Sequence, residues 1–467
     1  MKKKGIVIGL SCLIVVLLAA IGAVVFYGKS RENQAEGSSS QRGTVVSEIK
    51  KTEETTETDD VEGGNRTEEN AVGNLSGNIN NGGYVVENEE YVFYSYQGVL
   101  WRIGQDGTGK RALYEGECSS LNLWNDRIYF LLEEKKEGGD YGFYTNRTPC
   151  RIGLNGEDFE TIGPTLPEDK VRVSYSEPVK YGRTAAYRGF TVCDGYIYYI
   201  GSNGRAGSYS CSADYGDRTS QKQSVVFVDN TSVYRMDPDG SNVTELIGNI
   251  GNASPQMCID HGQLYYTISY YNYYFSPYDF TRYCRADMKT WSTTELPVES
   301  SVRDVFNSDF GANTDYVLSI QIMDGKLYAS FGDSEGEFPD SRFHVYDETN
   351  RSFGEPLFEE RSWNGTVAFG GKLYGSGGGR EYTEDGAALT NRALTVFDTS
   401  GRQEKLLKVF DEETYGGDEW FNNLHYEINV SGGWAYYRCS GWEENGEREE
   451  LGRISLDGSR QEFFAGL

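Results

Sequence analysis

Histidine is almost absent from this chain, since only His261, His344 and His425 among its 467 residues carry an imidazole. The sequence also lacks a zinc-binding HExxH helix, a phosphate-binding P-loop and a GxSxG nucleophile turn. A Ser-His-Asp triad would have to recruit one of the three histidines. We therefore predict no catalytic residue, no metal ligand and no cofactor.

Basic residues are scarce beside acidic ones, with 44 Lys and Arg against 71 Asp and Glu, a net charge of -27. Nucleic-acid-binding proteins neutralise phosphates with clustered Lys and Arg. This balance excludes a nucleic-acid partner and disfavours close contact with anionic lipid.

Cysteine is also sparse, and the sequence contains no CxxC pair. Seven of the eight cysteines lie beyond residue 27, which is an odd number. An odd number leaves at least one thiol unpaired even where disulfides are permitted. We assign no bridge and expect the cysteines within strands to be small core residues.

Long hydrophobic runs are absent except at the start, where residues 5–27 form an uncharged apolar stretch. A membrane-spanning helix needs roughly 20 apolar residues, and the apolar core of a signal peptide is shorter. We predict a transmembrane signal anchor over residues 5–27, with cleavage near residues 19–23 as the alternative. The three lysines in residues 1–4 predict a cytoplasmic tip, a single pass through the cell membrane and an extracytoplasmic remainder.

Residues 28–83 contain no Phe, Trp, Tyr or Cys and are dominated by Ser, Thr, Glu, Asn and Gly. Such a composition does not bury a core. We predict a disordered linker over residues 28–83 and a folded domain over residues 84–467.

The folded part is built from repeats, and two signatures alternate along it. The first is an apolar strand, a two-residue polar or glycine turn and a Tyr-rich strand. Asp-Gly and Gly-Gly between alternating strands are typical of β-hairpin turns. The copies are LNLWNDRIYFL (121–131), FTVCDGYIYYI (190–200), MCIDHGQLYYT (257–267), IQIMDGKLYAS (320–330), TVAFGGKLYGS (366–376) and INVSGGWAYYR (428–438), with a weaker first copy at 84–96.

The second signature is a strand, a polar turn usually closed by Gly and a short outer strand. It occurs at residues 99–113, 149–162, 232–246, 282–296, 342–357, 393–407 and 451–464. One copy of each signature makes a four-stranded unit, which cannot bury both faces alone. Seven units in series predict an all-β fold, a seven-bladed β-propeller, with six or eight blades as the alternatives.

The pairing of Tyr196-Ile197-Tyr198-Tyr199 with the segment VYRMDPDG at residues 233–240 resembles bacterial domains of the low-density-lipoprotein-receptor-like β-propeller family. The resemblance covers residues 84–467. It implies a non-catalytic surface propeller of unassigned function. The Tyr-Trp-Thr-Asp tetrad of the animal receptors is absent, so their protein ligands do not transfer.

Length varies mainly between the two signatures, at residues 133–148, 201–231, 268–281, 331–341, 377–392 and 439–450. Insertions in repeat proteins map to one face, often the binding face. We therefore expect these six connections to form one rim, which we term the crown. Exposed aromatic side chains suit glycan stacking or a protein hot spot. The candidate ligand-binding residues are Tyr270, Tyr271, Tyr273, Tyr274, Phe275, Tyr278, Tyr144, Tyr215 and Trp442.

The sequence thus predicts a membrane-tethered, extracytoplasmic binding module for a glycan or a protein on the cell surface or in the environment. One alternative is a propeller glycoside hydrolase or lyase, because a carboxylate pair leaves no mark in the sequence of an acidic propeller. A second alternative is a protein-interaction scaffold without a small ligand. An enzyme should show two converging carboxylates with displaced acidities, and a glycan binder should show ring-lined clefts.

Overall fold

A computed structural model gives the architecture of the chain. The structure describes residues 72–138, 143–171, 180–213, 221–227, 229–251, 255–268, 282–296, 316–332, 341–357, 362–382, 388–400, 403–409, 425–443 and 446–463. Within these ranges no helix is long and apolar enough to cross a bilayer. The predicted anchor at residues 5–27 lies outside them, as does most of the predicted linker.

The chain divides into two compact units. The larger unit, residues 66–210 and 224–467, contains the propeller. The smaller unit is residues 1–65 and 211–223, of which the structure describes residues 211–213 and 221–223.

One short helix and the first blades follow each other along the chain. The helix α1 is Ser76–Asn80. Blade 1 comprises β1 Val85–Glu87, β2 Tyr91–Tyr96, β3 Val99–Gly104 and β4 Arg111–Glu115. Blade 2 comprises β5 Glu117–Trp124, β6 Arg127–Glu137, β7 Phe143–Gly153 and β8 Glu160–Thr161. Its sheet is extended by β9 Leu166–Val171 and β10 Lys180–Thr184, and then by β14 Gln221–Phe227, which pairs with β10 in parallel, and β13 Gly207–Ala213. Blade 3 comprises β11 Arg188–Cys193, β12 Tyr196–Ser202, β15 Thr231–Met236 and β16 Thr244–Ile247.

The remaining blades repeat the same order. Blade 4 comprises β17 Met257–Asp260, β18 Gln263–Ile268, β19 Arg282–Asp287 and β20 Thr293–Leu296. Blade 5 comprises β21 Tyr316–Met323, β22 Lys326–Gly332, β23 Ser341–Asp347 and β24 Ser352–Phe353. Blade 6 comprises β25 Ser362–Phe369, β26 Lys372–Tyr382, β27 Ala388–Asp398 and β28 Gln403–Val409. Blade 7 comprises β29 His425–Ser431, β30 Trp434–Glu443, β31 Gly446–Ser455 and β32 Gln461–Phe463.

The described strands therefore form seven sheets, each built on four antiparallel strands. This confirms the prediction of an all-β, seven-bladed β-propeller. The first strand of each blade lies innermost, and the connections between first and second strands and between third and fourth strands share one face, which we term the turn face. The crown is on the opposite face.

The predicted hairpin turns owe their geometry to a left-handed backbone. Both central residues have positive φ, for example 49° and 76° at Asp194 and Gly195, and 58° and 75° at Gly370 and Gly371. Two such residues make a type I′ turn, whose twist matches that of the flanking strands. The polar and glycine pairs thus fix the register of each hairpin.

The core lies between adjacent blades. Phe93 of blade 1 packs with Leu121 and Phe130 of blade 2, and equivalent apolar clusters lie along the ring. Six cysteines are buried and form no disulfide among the described residues, as predicted for small core residues: Cys118, Cys150, Cys193, Cys258, Cys284 and Cys439. Burial raises the pKa of the Cys193, Cys258 and Cys284 thiols to about 12, so the reactive thiolate form is suppressed.

The predicted linker ends too late, because residues 72–83 are part of the fold. We term this segment the plug. Gly73 bonds to β11 and β5 through its backbone, and α1 has buried residues. Composition does not reveal this segment because the plug buries side-chain amides beside a few apolar residues such as Ile79. Asn78 accepts a hydrogen bond from Val430 N at 2.7 Å and donates one to Val430 O at 2.8 Å, as a neighbouring strand would.

The plug completes a belt of side-chain amides inside the ring. Four inner-strand seams are bridged from within the blades: Asn122 bonds to Phe190 and Val192, Gln256 to Ile320, Gln321 to Ala368, and Asn429 to Tyr84 and Val85. At the other three seams, side chains of the plug bond to the inner strands. Asn74 donates to Val85 O and Leu121 O, Ser76 accepts from Ile259 N, and Asn81 donates to Thr366 O and Ile428 O. These hydrogen bonds satisfy backbone groups of the inner strands that face the channel.

Candidate functional site

Three of the six predicted crown insertions are extended β-hairpins. The pairing of β6 with β7 continues to Glu137 opposite Phe143, beyond the last pair that β6 makes with β5. The β26–β27 and β30–β31 hairpins are similarly long, ending at the Tyr382–Ala388 and Glu443–Gly446 pairs. The regular ladders position side chains at the crown without help from loops.

Most of the predicted ligand-binding residues lie outside the described residues: Tyr270, Tyr271, Tyr273, Tyr274, Phe275, Tyr278 and Tyr215. Tyr144 lies on β7 opposite Lys136, is half-buried and faces Gly138. Trp442 lies on β30 opposite Glu447. The two residues are on different crown hairpins, and their roles in binding remain predictions.

Charged side chains meet at the crown end of blade 2. Glu117 on β5 lies directly opposite Glu133 on β6, and Glu133 lies opposite Arg147 on β7. Glu133 Oε1 accepts hydrogen bonds from Ser119 Oγ at 2.6 Å and from Arg147 Nε at 2.9 Å. Like charges opposite each other destabilise a sheet, so the carboxylate pair is tolerated because cations flank it.

The register that pairs Glu117 with Glu133 depends on a β-bulge. The turn at residues 125–126 alone would place Glu134 opposite Glu117, but the pairing shifts by one between Ser119 and Asn122. Ser120 at this shift has φ 52°. The bulge therefore selects which glutamate faces the site and turns Glu134 to the other side of the hairpin.

Arg438 of blade 7 joins the carboxylates of blade 2 to another carboxylate of its own blade. Its Nη2 lies 2.8 Å from Glu427 Oε2, and its Nη1 lies 3.9 Å from Glu117 Oε1. Its guanidinium also lies 5.3 Å from the centre of the Tyr84 ring. Glu117 and Glu427 therefore flank one guanidinium group.

The series of charged side chains continues toward blade 3. Arg147 also contacts Glu168 of β9, which in turn contacts Arg188 at the start of β11. We term the whole series the charge row: Glu427, Arg438, Glu117, Glu133, Arg147, Glu168 and Arg188. It extends from blade 7 across blade 2 to blade 3 at the crown end of the channel.

Glu427 has a displaced acidity. Burial raises its pKa above the ordinary glutamate value, and the nearby charges of Glu117 and Glu133 add to the rise, while Arg438 opposes it. Its Oε2 oxygen is buried beside Arg438, whereas the side chain as a whole is 40% exposed. A carboxyl group with a raised pKa beside a second carboxylate is the arrangement that acid–base chemistry requires.

The plug forms the floor of this site. A Cβ atom on Gly82 would lie 3.8 Å from Glu427 Oε2. The Tyr84 hydroxyl lies 2.9 Å from the carbonyl oxygens of Glu427 and Tyr436, and burial raises its pKa well above the ordinary value. This tyrosine is a fixed hydrogen-bond donor rather than a titrating group.

Among the described residues, no three His, Cys, Asp or Glu side chains form a group that could hold a metal ion. The acidic segment at residues 237–242 is turn chemistry, since Asp237 accepts from Asn242 and Asp239 accepts from the Ser241 backbone.

No protein-family model matches the chain, and no curated protein matches it. Solved structures resemble it at low identity: a puromycin hydrolase mutant complexed with PGG (12% identity, TM-score 0.44, 81% of this chain and 52% of that one), the β-propeller domain of the Trilobed protease from Pyrococcus furiosus (9%, 0.42, 81% and 97%) and an oligogalacturonate lyase in complex with manganese (12%, 0.39, 76% and 86%). The chain spans about half the length of the puromycin hydrolase. At these scores the similarity carries no argument about activity.

Proposed function

We propose that this chain is a membrane-tethered, extracytoplasmic β-propeller that binds a glycan through the crown. The anchor at residues 5–27 and the low-density-lipoprotein-receptor-like identity belong to this proposal. The observation that carries it is the charge row, because carboxylates and guanidinium groups held in fixed positions can accept from and donate to the hydroxyls of a sugar. The aromatic crown residues, Tyr144 and Trp442 among them, would add stacking surface.

The binding test uses the full-length chain in lipid nanodiscs, applied to a glycan array and to polysaccharide pull-downs. Glu133→Gln should reduce glycan binding at least tenfold, because it removes a charge from the row. Glu134→Gln is the matched control, since the neighbouring residue lies on the other face of the same strand. Equal binding by the two variants, or no glycan bound by the folded wild type, would refute the proposal.

A second candidate function is a glycoside hydrolase or lyase, and the raised pKa of Glu427 beside Glu117 favours it. The same preparation is incubated with each glycan that binds, and the products are separated by chromatography. Cleavage that is lost in both Glu427→Gln and Glu117→Gln, with binding retained, would establish the enzyme. Binding without products in the wild type would support the binding module alone.

A further inference from the structure

The third strand of each blade has an equivalent position that is usually arginine. The position is defined by its partner on the second strand, which is Tyr in six blades and Phe in blade 1. The arginines and their partners are Arg102 with Phe93, Arg151 with Tyr129, Arg235 with Tyr198, Arg285 with Tyr265 and Arg453 with Tyr436. In blades 5 and 6 the position holds Val345 opposite Tyr328 and Val396 opposite Tyr374.

Four of these arginines fasten their blade to the next one. Each donates to the second residue of the turn between the third and fourth strands of the neighbouring blade. The bonds are Arg102 to Leu154 O (3.3 Å), Arg151 to Pro238 O (3.0 Å), Arg285 to Glu348 Oε1 (2.6 Å) and Arg453 to Gln105 O (3.3 Å). We term this contact the arginine clasp. Arg235 instead lies over the Tyr196 ring of its own blade, 4.4 Å from its centre.

Where blade 5 has valine, a cavity of about 380 Å³ lies between blades 5 and 6 on the turn face. Its lining includes Val345 and Tyr328, which correspond to the arginine and its tyrosine partner in the other blades. It also includes Thr399, the turn residue of blade 6 that corresponds to the acceptor of each clasp. The cavity therefore occupies the position that a guanidinium group fills elsewhere in the ring.

Blade 6 carries the same substitution with a different result. Lys405 of β28 donates to Asp457 O in the turn of blade 7, so another cation replaces the clasp between those blades. No equivalent lysine contact is made across the seam between blades 5 and 6 within the described residues.

The chemistry of the cavity suits a cation with an apolar stem. Asp324 and Asp398 contribute carboxylates, Tyr328 contributes a ring, and Val345 and Leu357 contribute apolar surface. Asp398 Oδ1 accepts from the Ser400 backbone and hydroxyl, which fixes the carboxylate at the edge of the cavity. Lys326 is the one basic side chain in the lining and is exposed, so it can move aside.

We propose that the cavity between blades 5 and 6 is a binding site for a guanidinium group, the side chain of an arginine residue presented by a peptide. The bound guanidinium would contact Thr399, Asp398 and the Tyr328 ring, as the clasp arginines contact their own tyrosine and turn. The site lies on the face opposite the crown and does not depend on the glycan proposal.

The test is a saturation-transfer-difference NMR titration of the full-length chain in nanodiscs with N-acetyl-arginine amide. We expect a dissociation constant on the order of 1 mM for so small a probe. N-acetyl-citrulline amide, which is neutral and nearly isosteric, should bind at least tenfold more weakly. Free L-arginine is titrated in the same way. Tighter binding of N-acetyl-arginine amide than of free L-arginine is expected for a site that takes an arginine side chain of a peptide, and the reverse order would indicate a site for the free amino acid. Equal binding of the arginine and citrulline probes would overturn the proposal.

Three variants locate the site. Val345→Arg installs the clasp found in other blades and should abolish probe binding. Asp398→Asn keeps the oxygen that caps the turn but should weaken binding about tenfold, whereas Lys326→Met should strengthen it. Glu348→Gln, at the seam between blades 4 and 5 where Arg285 is already in place, is the matched control and should bind as the wild type does. Wild-type binding by folded Asp398→Asn would overturn the assignment even if Val345→Arg failed to fold.

Discussion

The seam between blades 7 and 1 differs sharply from the seam between blades 5 and 6. At the first, Arg453 contacts Gln105, Tyr436 and Glu462, and the Tyr436 hydroxyl donates to Glu87 at 2.7 Å. At the second, Val345 stands at the equivalent position and a cavity separates the turns.

Chain connectivity explains part of the difference. Blade 1 consists of β1–β4 and blade 7 of β29–β32, so no strand is exchanged where the ends of the propeller meet. Closing the ring there carries the loop-closure entropy of the whole domain. The additional hydrogen bonds of Arg453 and Tyr436 offset this cost. Clasps also join blades 1 and 2, 2 and 3, and 4 and 5, which follow each other in sequence just as blades 5 and 6 do. The valine of blade 5 is therefore a local departure from the repeat and not a consequence of connectivity.

The largest expected effect is the loss of Arg453. Its side chain is 3% exposed, and Arg453→Met would remove its hydrogen bonds to Gln105, Tyr436 and Glu462, of which Glu462 is 42% exposed. From one charge-assisted and two neutral hydrogen bonds we expect the free energy of unfolding to fall by about 3–5 kcal/mol. Denaturant unfolding followed by circular dichroism measures it. Arg235→Met is the control and should cost no more than about 1 kcal/mol, since Arg235 interacts with Tyr196 and Tyr198 of its own blade. Equal losses would remove the distinction between the seams.

The second effect concerns the plug, which closes the seam between blades 6 and 7. Asn78→Ala would leave the buried Val430 N–H and C=O without partners, and we expect a loss of about 2–3 kcal/mol in the free energy of unfolding. Asn80→Ala is the matched control, because Asn80 makes a single 3.5 Å contact to Cys258 Sγ. The same denaturant experiment serves, and a larger loss in the control would contradict a structural role for the plug.

The sequence predicts the fold well because hairpin turns and repeats are local. Asp-Gly and Gly-Gly pairs require a left-handed backbone, and their spacing sets both the blades and the strand register. The plug is not local in this sense. Asn78 bonds to a residue about 350 positions later, and a polar, aromatic-free segment offers no signal that its amides will pair with strand edges.

The candidate site could be predicted only in part. The sequence identifies Glu133 as a crown residue, but Glu117 and Arg438 meet through ring closure, and the bulge at Ser120 decides that Glu133 rather than Glu134 faces them. The arginine clasp is not predicted from the sequence, although its arginines recur at one position before the turn of the second signature. Its partner in the next blade becomes evident only once neighbouring blades are seen together.

A third effect tests the charge row through pH. Because the pKa of Glu427 is raised in the folded state, the unfolded chain ionises first, and stability falls as pH rises from the unfolded pKa through the folded one. Glu427→Gln removes this loss. Its midpoint of thermal unfolding should exceed that of the wild type at pH 7 by the equivalent of less than about 1 kcal/mol, and the difference should shrink at pH 4. If instead the midpoint of Glu427→Gln rises relative to that of the wild type as the pH is lowered, Arg438 dominates the acidity of Glu427.

A fourth substitution, with an effect of similar size, would make the two seams alike. Val345→Arg places a guanidinium against Tyr328 and within reach of Thr399, the turn residue that corresponds to the acceptors of the other clasps. One hydrogen bond of this kind adds about 0.5–1.5 kcal/mol to the free energy of unfolding. Val345→Met, which has length without charge, should not reproduce the gain. If the arginine variant is no more stable than the methionine variant, the clasp is not transferable, and the valine is there for packing rather than to leave room for a ligand.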